Sequence, residues 1–468
     1  MDSGDSFEED YDFAILGFGV TESVLASALS KAGKKVIHIS PENHYGGATC
    51  SLNFVDFINE ILNSDSKLFS HVEIGIGSFE PLNKSTILAE NQASKARSNE
   101  KIGLDNNKNP KTNDLLSQIF RKLELNDDFL VDTLVDKYYD IIDSIVSKNN
   151  KYCIELLPKL IRCRGDMISL LIDSNLGQFI EFLGLEGNYI ISKSICTKVP
   201  DTKQVIFSDP LLSLKSRFSL SKFIKFIETC TLNNSLEDSV SEYPTFKSLL
   251  NEKFKIFGRE FDAISFSICG ILNPESHSSL DGCNSFVKYV SSIGKYGSMA
   301  YLYPLYGCGS ELSQSFCRSA AVAGAIYIMG TEITEISKGD KLKINIGNSH
   351  VANVDSIISS HMHKNLISNS TQFQKESCND NQEDSGNALD VNISRATGIS
   401  DLDKDTLFSA YFCINDTYSN QSNEINSDIN RNILFVNDRC NELDFDNNII
   451  DAKEMFEKLC PGVGFMST

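Results

Sequence analysis

The feature that most constrains the fold of this chain is a glycine turn near its amino end. An apolar run at 12–16 leads into Gly17-Phe18-Gly19, a segment with one apolar helical face follows at 21–30, and a second apolar run lies at 34–39. Short apolar runs of this kind indicate buried parallel strands, and their order around a glycine turn is typical of dinucleotide-binding domains. The sequence therefore predicts an α/β fold that opens with an FAD/NAD(P)-binding-like unit.

The same turn lacks residues that a dinucleotide needs. Gly17 and Gly19 match the first two glycines of the G-x-G-x-x-G pattern, but Glu22 stands where the third glycine belongs. A carboxylate in the first helical turn competes with a phosphate for the same backbone amides. The second strand ends at Ser40, where an Asp or Glu would hold the ribose hydroxyls. We therefore expect no cofactor, and we expect the two glycines to serve a tight turn.

Charge and composition exclude several classes of protein. The chain has 468 residues and a net charge of −20, which argues against binding to nucleic acids and anionic membranes, because both need a basic surface. Its apolar runs are strand-sized, the acidic segment 1–12 lacks the order of a signal peptide, and the final residues, 465–468, carry no prenylation motif. We expect a cytoplasmic protein with no transmembrane segment and no nucleic-acid partner.

The 13 cysteines do not predict a metal site or a disulfide framework. Their number is odd and no pair has the C-x-x-C spacing. Cys308 and Cys317 lie close in sequence, but no second pair accompanies them as a zinc site would require. We expect free thiols, mostly buried, and no metal.

Two stretches have the composition of inserts rather than of folded domains. Residues 82–150 include a tract rich in Asn, Lys, Ser and Asp, and residues 365–388 form a second polar tract. Such segments bury too little apolar surface to fold alone. Both are interpreted as low-complexity inserts, although a helical periodicity begins at Leu115 within the first.

Helical patterns dominate residues 151–290, for example at 167–172 and 176–183. This stretch predicts a mostly helical subdomain, inserted into the first domain. The segments on either side of it, 1–81 and 291–468, are assigned to the dinucleotide-binding-like domain.

Three groups of motifs carry a resemblance to one family. They are Thr21-Glu22 with Asn43-His44-Tyr45-Gly46-Gly47, Leu157-Pro158-Lys159-Leu160 with Arg164-Gly165, and Tyr303-Pro304-Leu305-Tyr306-Gly307 with the segment from Glu311 to Arg318. Together these motifs resemble the Rab GDP-dissociation inhibitors and Rab escort proteins. Matching stretches cover most of the chain outside the two inserts. The long insertion at 82–150 and the segment 457–462 are more similar to the escort branch.

The resemblance implies a non-enzymatic protein on a GDI-type fold. An escort protein is the accessory component A of Rab geranylgeranyltransferase. It binds newly made GDP-bound Rab GTPases, presents them to the alpha/beta heterodimer of the transferase, and delivers the prenylated Rab to membranes. The resemblance therefore implies Rab proteins, the transferase and a geranylgeranyl lipid as partners. It also implies transient membrane association beside the cytoplasmic location.

The resemblance also assigns residues to a Rab-binding platform. By match to the motifs, the platform comprises Tyr45, Glu311, Arg318, Ile326, Tyr327 and Ile328. Glu311 and Arg318 are seven residues apart, which is two helical turns, so both can project from one helix face. An arginine in this position could bind a carboxylate of the GTPase through two hydrogen bonds.

The helical subdomain is implied to bind both the lipid and the transferase. Candidate residues for lining the lipid site are Leu170, Leu171, Leu176, Phe179 and Phe182. The residues that best match the transferase contact are Phe207 and Arg217, and their neighbours Phe218 and Lys222 could share the role.

Three other functions stay open at this point. The chain could be a Rab GDP-dissociation inhibitor that extracts and recycles prenylated Rabs, and binding to the transferase would distinguish an escort from it. An FAD-dependent oxidoreductase would carry bound flavin. A lipid-binding interaction protein would retain prenyl-lipid binding but bind no GDP-loaded Rab.

Overall fold

The computed structural model describes most of the chain, which forms two compact units. The first unit comprises residues 1–22, 34–157 and 324–440, and the second comprises 23–33, 158–323 and 441–468. The residues described are 7–62, 69–76, 82–85, 87, 108–123, 125, 127–192, 195–199, 203–209, 212–271, 273–347, 350–360, 363, 367, 387–394, 406–414, 432–437, 439 and 442–466.

The described residues form thirteen α-helices and seventeen strands. The helices are α1 (Val20–Lys31), α2 (Phe54–Leu62), α3 (Pro110–Lys122), α4 (Asp128–Val146), α5 (Asp166–Asp173), α6 (Lys203–Ser208), α7 (Leu214–Leu232), α8 (Leu236–Val240), α9 (Phe246–Ser248), α10 (Gly258–Asp262), α11 (Ser279–Ser292), α12 (Cys308–Val322) and α13 (Asp446–Leu459). The strands are β1 (Phe7–Leu16), β2 (Val36–Ser40), β3 (Ser51–Leu52), β4 (Phe69–Ile76), β5 (Ile154–Glu155), β6 (Ile161–Arg162), β7 (Phe182–Gly184), β8 (Tyr189–Ser192), β9 (Ile195–Lys198), β10 (Tyr301–Pro304), β11 (Ile326–Met329), β12 (Ile333–Lys338), β13 (Leu342–Ile346), β14 (His350–Ser360), β15 (Asn387–Ser394), β16 (Thr406–Ile414) and β17 (Ile433–Val436).

The first unit is built on a mixed sheet with strand order β11-β2-β1-β14-β13-β12, and β17 also pairs with β14. The pairs β1/β2, β1/β14, β2/β11 and β14/β17 are parallel, and β12, β13 and β14 form antiparallel pairs. In β1, the side chains of Ala14, Ile15 and Leu16 are fully buried. A central parallel strand is covered on both faces, which explains its continuous apolar run. The predicted α/β, FAD/NAD-binding-like fold is confirmed.

A second core of the first unit lies within the interval predicted as the first insert. The helices α3 and α4 pack against each other and against α2 through buried residues that include Phe57, Leu116, Ile119 and Ile142. Asn109 caps α3 by accepting a hydrogen bond from the amide of Lys111, and Pro110 occupies the first turn.

The insert is therefore shorter than the predicted 82–150. The apolar periodicity that begins at Leu115 provides a buried face, and that face folds as a helical hairpin. The predicted second insert, 365–388, lies outside the described residues except for Ile367 and the first residues of β15.

The second unit contains a helical core and a small antiparallel sheet. Helices α7, α9 and α11 surround a buried cluster that includes Phe223, Phe246 and Phe286. Strand β10 pairs with β6 and β7. These pairs explain why residues 291–323 belong to the second unit, although the sequence assigned them to the first domain.

The helix predicted at 176–183 is wrong. Leu176–Phe179 forms one 3-10 turn and Phe182–Gly184 is strand β7. Asn175 has a left-handed backbone, with φ of 56°, at the start of the turn. The backbone of residues 182–184 then pairs with β10. Long-range pairing therefore overrides the local helical pattern.

A buried ionic cluster connects two distant segments of the second unit. The guanidinium of Arg162, just after the Leu-Pro-Lys motif, donates from Nε and Nη2 to Asp444, and its Nε lies 3.4 Å from Asp446. Asp446 accepts a hydrogen bond from the amide of Met167 in the first turn of α5. The ammonium of Lys159 lies 5.0 Å from the ring centroid of Phe445. The start of α13 is therefore held to β6 and α5 by charge.

Membrane-spanning helices are not found among the described residues, since none of their helices is both long enough and apolar enough to cross a bilayer.

Candidate functional site

At the glycine turn, the chain's own side chains lie where a dinucleotide would approach the backbone. A β-carbon at Gly19 would be 2.4 Å from Oε2 of Glu22, so this carboxylate packs directly against the turn. A β-carbon at Gly17 would be 2.6 Å from Nε2 of His363. Glu22 and His363 are both buried. The space that the second glycine of the pattern normally leaves for a pyrophosphate is thus filled by protein.

The end of β2 is also occupied by internal contacts. The buried hydroxyl of Ser40 donates a hydrogen bond to the carboxylate of Glu42. Glu42 lies 4.0 Å from Nε2 of His363. Burial lowers the pKa of His38 to about 4, so its imidazole is neutral at pH 7 and its Nε2–H donates to the carbonyl of Gly17. The groups nearest to a ribose position are therefore engaged with one another.

These contacts do not fit FAD or NAD. A bound dinucleotide would have to displace the buried Glu22 carboxylate and the His363 ring, and Ser40 supplies no carboxylate for the ribose. Among the described residues, no group of three or more His, Cys, Asp and Glu side chains could hold a metal ion.

Phe18, the middle residue of the turn, lies in an aromatic cluster. The ring of Phe18 lies 5.4 Å from Tyr45, 6.3 Å from Tyr327 and 4.4 Å from His38, measured between centroids. Phe18 itself is buried, whereas Tyr45 is half-buried and Tyr327 is 39% exposed. Two of the predicted platform residues are therefore brought together by Phe18. Phe18 had no predicted role, although its position between Gly17 and Gly19 places a side chain within the turn.

Strand β11 supplies the other predicted residues of the first unit. It pairs with β2 at one end of the sheet, with Ile326 opposite Ile37, Tyr327 opposite His38 and Ile328 opposite Ile39. Ile326 is 46% exposed and Ile328 is half-buried. Apolar side chains exposed along an edge strand are a surface to which a partner can bind.

Glu311 and Arg318 lie on α12 in the second unit, and their environments differ. Glu311 is half-buried; desolvation raises the pKa of its carboxyl, a hydrogen bond with the backbone of Tyr306 opposes the rise, and the charge of Glu181 adds to it. Its Oε2 is buried and has no hydrogen-bond partner among the described residues. Arg318 is exposed, and its guanidinium carbon lies 4.6 Å from the ring centroid of Phe179.

The second unit also contains an apolar cavity of about 150 Å³. Residues from α7, α11 and the π-helical turn 263–268 line it, including Leu220, Phe223, Ile264 and Phe286. The lipid-lining residues expected from the sequence lie elsewhere, because Leu170, Leu171 and Leu176 are buried around α5 and Phe179 packs on Arg318. Phe182, in β7, does not line this cavity either.

The two predicted transferase contacts differ in accessibility. Phe207, in α6, is 49% exposed. Arg217 is half-buried, and its Nη2 donates a 2.6 Å hydrogen bond to the carbonyl of Asp209, so it fixes the loop between α6 and α7. Beside it on α7, Leu214 and Phe218 are 71% and 64% exposed. These two apolar residues are four apart and share one helix face.

Comparison with known proteins identifies related chains. A family model described as GDP dissociation inhibitor matches residues 7–72 and 128–372. The probable secretory pathway GDP dissociation inhibitor 1 of Schizosaccharomyces pombe is 26% identical over 341 residues, covering 71% of this chain and 59% of that protein. The Rab proteins geranylgeranyltransferase component A 1 of Caenorhabditis elegans is 27% identical over 372 residues, covering 75% of this chain and 65% of that protein. The Rab escort protein 1 of Arabidopsis thaliana is 28% identical over 353 residues, covering 70% of this chain and 55% of that protein.

A solved structure supports the fold, and the family match identifies the family. The crystal structure of Rab GDI from Plasmodium falciparum superposes with a TM-score of 0.56 at 15% identity, covering 98% of this chain and 99% of that one. The chain spans less than two thirds of the length of the curated relatives described above. Because the family model matches more than half of its residues, the chain belongs to the GDP dissociation inhibitor family.

Proposed function

We propose that this chain is a Rab escort protein. In this role it binds newly made GDP-bound Rab GTPases, presents them to the alpha/beta heterodimer of Rab geranylgeranyltransferase, and delivers the prenylated Rab to membranes. It acts as an accessory subunit and performs no chemistry of its own. Relatives named as component A of the transferase and as Rab escort protein support this proposal.

One observation carries the proposal: buried side chains fill the approach to the glycine turn, and partly exposed aromatic residues surround Phe18 of the same turn. Glu22 and His363 fill the approach to the turn, so it does not serve a coenzyme. Tyr45 and Tyr327 remain partly exposed around Phe18. Tyrosines of this kind provide apolar contact area and a polar tip, which favours protein–protein contact.

Each unit carries its own group of proposed Rab-binding residues. Tyr45, Ile326, Tyr327 and Ile328 form the group in the first unit, and Glu311 with Arg318 forms the group in the second. The unpaired charge of Arg318 suits a carboxylate of the GTPase, because an exposed guanidinium forms paired hydrogen bonds with that group.

The cavity in the helical core is the proposed site for the geranylgeranyl chain. Its lining is mostly apolar, although Glu228, Arg259 and Glu260 also contribute, and burial of each CH₂ contributes ~0.8 kcal/mol. Its volume of about 150 Å³ is below the roughly 300–1,000 Å³ typical of small-molecule sites, so the helices must separate to admit a long prenyl chain. The π-helical turn 263–268 in its wall favours this interpretation, because such turns are often found at functional sites.

The proposal is tested by prenylation in vitro. A Rab protein and the transferase are incubated with labelled geranylgeranyl diphosphate, with and without this chain. We expect lipid transfer to depend on the chain, whereas an unchanged yield in its absence contradicts the escort function. Extraction of prenylated Rab from membranes without transferase binding would identify a GDP-dissociation inhibitor instead.

A further inference from the structure

Several apolar side chains are exposed near Arg318 in the second unit. Phe179 is 52% exposed, Leu183 is 47% exposed and Tyr306 is 65% exposed. Short connections bring them into one neighbourhood. Leu183 pairs with Tyr303 across β7 and β10, the amide of Leu305 donates to the carbonyl of Glu181, and the turn containing Phe179 packs on α12. Exposed apolar side chains grouped on neighbouring elements can form a binding surface.

Phe179 fixes the position of the arginine. Its ring lies under the guanidinium of Arg318, at 4.6 Å from centroid to carbon. This contact occupies one flat face and leaves the N–H edges available, since Arg318 has no ion pair or hydrogen bond with any residue that the structure describes. Stacking restricts the rotamers of a long side chain, so less entropy is lost when a carboxylate binds.

Glu311 holds the backbone of Tyr306 in place, as Phe179 holds the side chain of Arg318. Its carboxylate forms a hydrogen bond with the backbone of Tyr306, and its Oε2 is buried. The side chain of Tyr306 is exposed. Within the group of residues assigned to Rab binding, Glu311 thus acts on the loop backbone rather than on the partner itself. Glu311 therefore supports Tyr306 as Phe179 supports Arg318.

We propose that Arg318, Tyr306 and Leu183 contact the Rab partner directly, and that Phe179 and Glu311 are positioning residues that hold Arg318 and Tyr306 in place. The surface takes a carboxylate of the GTPase that is flanked by apolar side chains. Charge complementarity supports this occupant. Arg318 is an exposed, unpaired cation beside apolar side chains on a chain whose net charge is −20, so a carboxylate of the partner is the group that it would attract. The inference rests on the proposed function, since Arg318 is one of the residues assigned to Rab binding.

The first experiment compares Rab binding by single and double variants of the full chain. Phe179→Ala is expected to weaken binding of GDP-loaded Rab by about two- to fivefold, the value of an exposed cation–π contact. Arg318→Ala is expected to weaken it more, and the double variant no further than Arg318→Ala alone. Phe257→Ala is the matched control, because Phe257 is exposed to a similar extent, 54%, in the same unit. It should leave binding unchanged.

Two further variants separate positioning from direct contact. Phe179→Trp should restore binding, and since the chain contains no tryptophan, its emission reports the site alone once the Rab signal is subtracted. We expect a blue shift on binding. Glu311→Gln keeps the oxygen that accepts from Tyr306 and should bind within about twofold of the unaltered chain, whereas Glu311→Ala should lose several-fold.

Each outcome has a distinct meaning. Equal losses for Glu311→Gln and Glu311→Ala show that the charge of Glu311 acts directly, which overturns its positioning role. Unchanged binding by Phe179→Ala, or losses that add in the double variant, overturn the role of Phe179 while leaving the Rab-binding function intact. Absence of Rab binding by the unaltered chain overturns both. Thermal unfolding of each variant, compared with Phe257→Ala, identifies any loss caused by misfolding.

Discussion

Gly282 shows how tightly single residues are constrained in the helical core. It lies inside α11, and a β-carbon there would be 2.2 Å from Cδ2 of the buried Phe246 ring. Alanine normally stabilises a helix relative to glycine by ~1 kcal/mol, but overpacking a core costs about 1–3 kcal/mol. We expect Gly282→Ala to lower the free energy of unfolding in urea. Gly297→Ala, where nothing lies within 4 Å of the new carbon, should change it by less than ~0.5 kcal/mol. Equal urea midpoints for the two variants would contradict this view of the packing.

Asp446 predicts a specific pH dependence of stability. Burial, and then the charge of Asp444, raise its pKa to about 6, against the amide of Met167 and the charge of Arg162. The value in the unfolded chain is about 3.9. Between these two values the native state binds more protons, so this residue's contribution to stability falls as pH rises from about 4 to 6.

The asparagine variant tests this dependence, because it cannot titrate. Across that pH interval, the free energy of unfolding of the unaltered chain should fall relative to that of Asp446→Asn. Urea unfolding at several pH values measures the difference, and parallel profiles for the two proteins would refute the shifted pKa.

Residues of the candidate site were predictable where the signal is local. The degenerate turn could be predicted because Gly17, Glu22 and Ser40 lie within one βαβ unit of the sequence. The contacts of His363 with Gly17 and of Phe179 with Arg318 join residues more than a hundred positions apart. No pattern in the sequence encodes such pairs, so His363 was not assigned to the site in advance, and Phe179 was expected to line the lipid site instead of contacting Arg318.

At the scale of elements, the start of α13 is held in place by Arg162. Two of its guanidinium nitrogens donate to Asp444, and both side chains are about nine-tenths buried. Removing one partner of a buried ion pair leaves the other charge uncompensated and costs ~3–5 kcal/mol. We expect Asp444→Ala to destabilise the chain by an amount of this order in chemical denaturation.

An exposed ion pair of the same helix provides the control. Lys453 lies 3.1 Å from Asp166, and both side chains are more than 40% exposed. Such surface pairs contribute ~0–1 kcal/mol, so Lys453→Ala should have little effect. A loss for Asp444→Ala no larger than that for Lys453→Ala would mean that the buried cluster does not anchor α13.

Elements were predicted well where the pattern of apolar residues agrees with the tertiary contacts. The buried run that forms β1 is an example. The hairpin of α3 and α4 was underestimated because polar composition masked two helix-start signals, Asn109-Pro110 and Asp127. The helix predicted for 176–183 is wrong because its apolar pattern looks helical, whereas pairing of residues 182–184 with β10 determines the structure.

At the scale of the whole molecule, the proposed escort function requires a docking surface for the transferase. Phe207, Leu214 and Phe218 are exposed apolar residues of α6 and α7, whereas Arg217 is engaged with the carbonyl of Asp209. Lys215 and Lys222 are exposed on the same helix as Leu214 and Phe218. This combination suits a partner with an apolar pocket and an acidic rim.

Variants of this surface should separate transferase binding from Rab binding. Phe207→Ala and Phe218→Ala remove aromatic contacts that commonly contribute more than ~1 kcal/mol to an interface, so each should weaken transferase binding by about fivefold or more. Neither residue belongs to the Rab-binding platform, so affinity for GDP-loaded Rab should not change. Titration calorimetry with each partner measures both quantities, and Leu232→Ala is the control, because Leu232 is 84% exposed at the far end of α7. Because the defect is in docking, a high concentration of transferase should restore prenylation by the two phenylalanine variants. Failure of that rescue, or a parallel loss of Rab affinity, would show that the two surfaces are not independent.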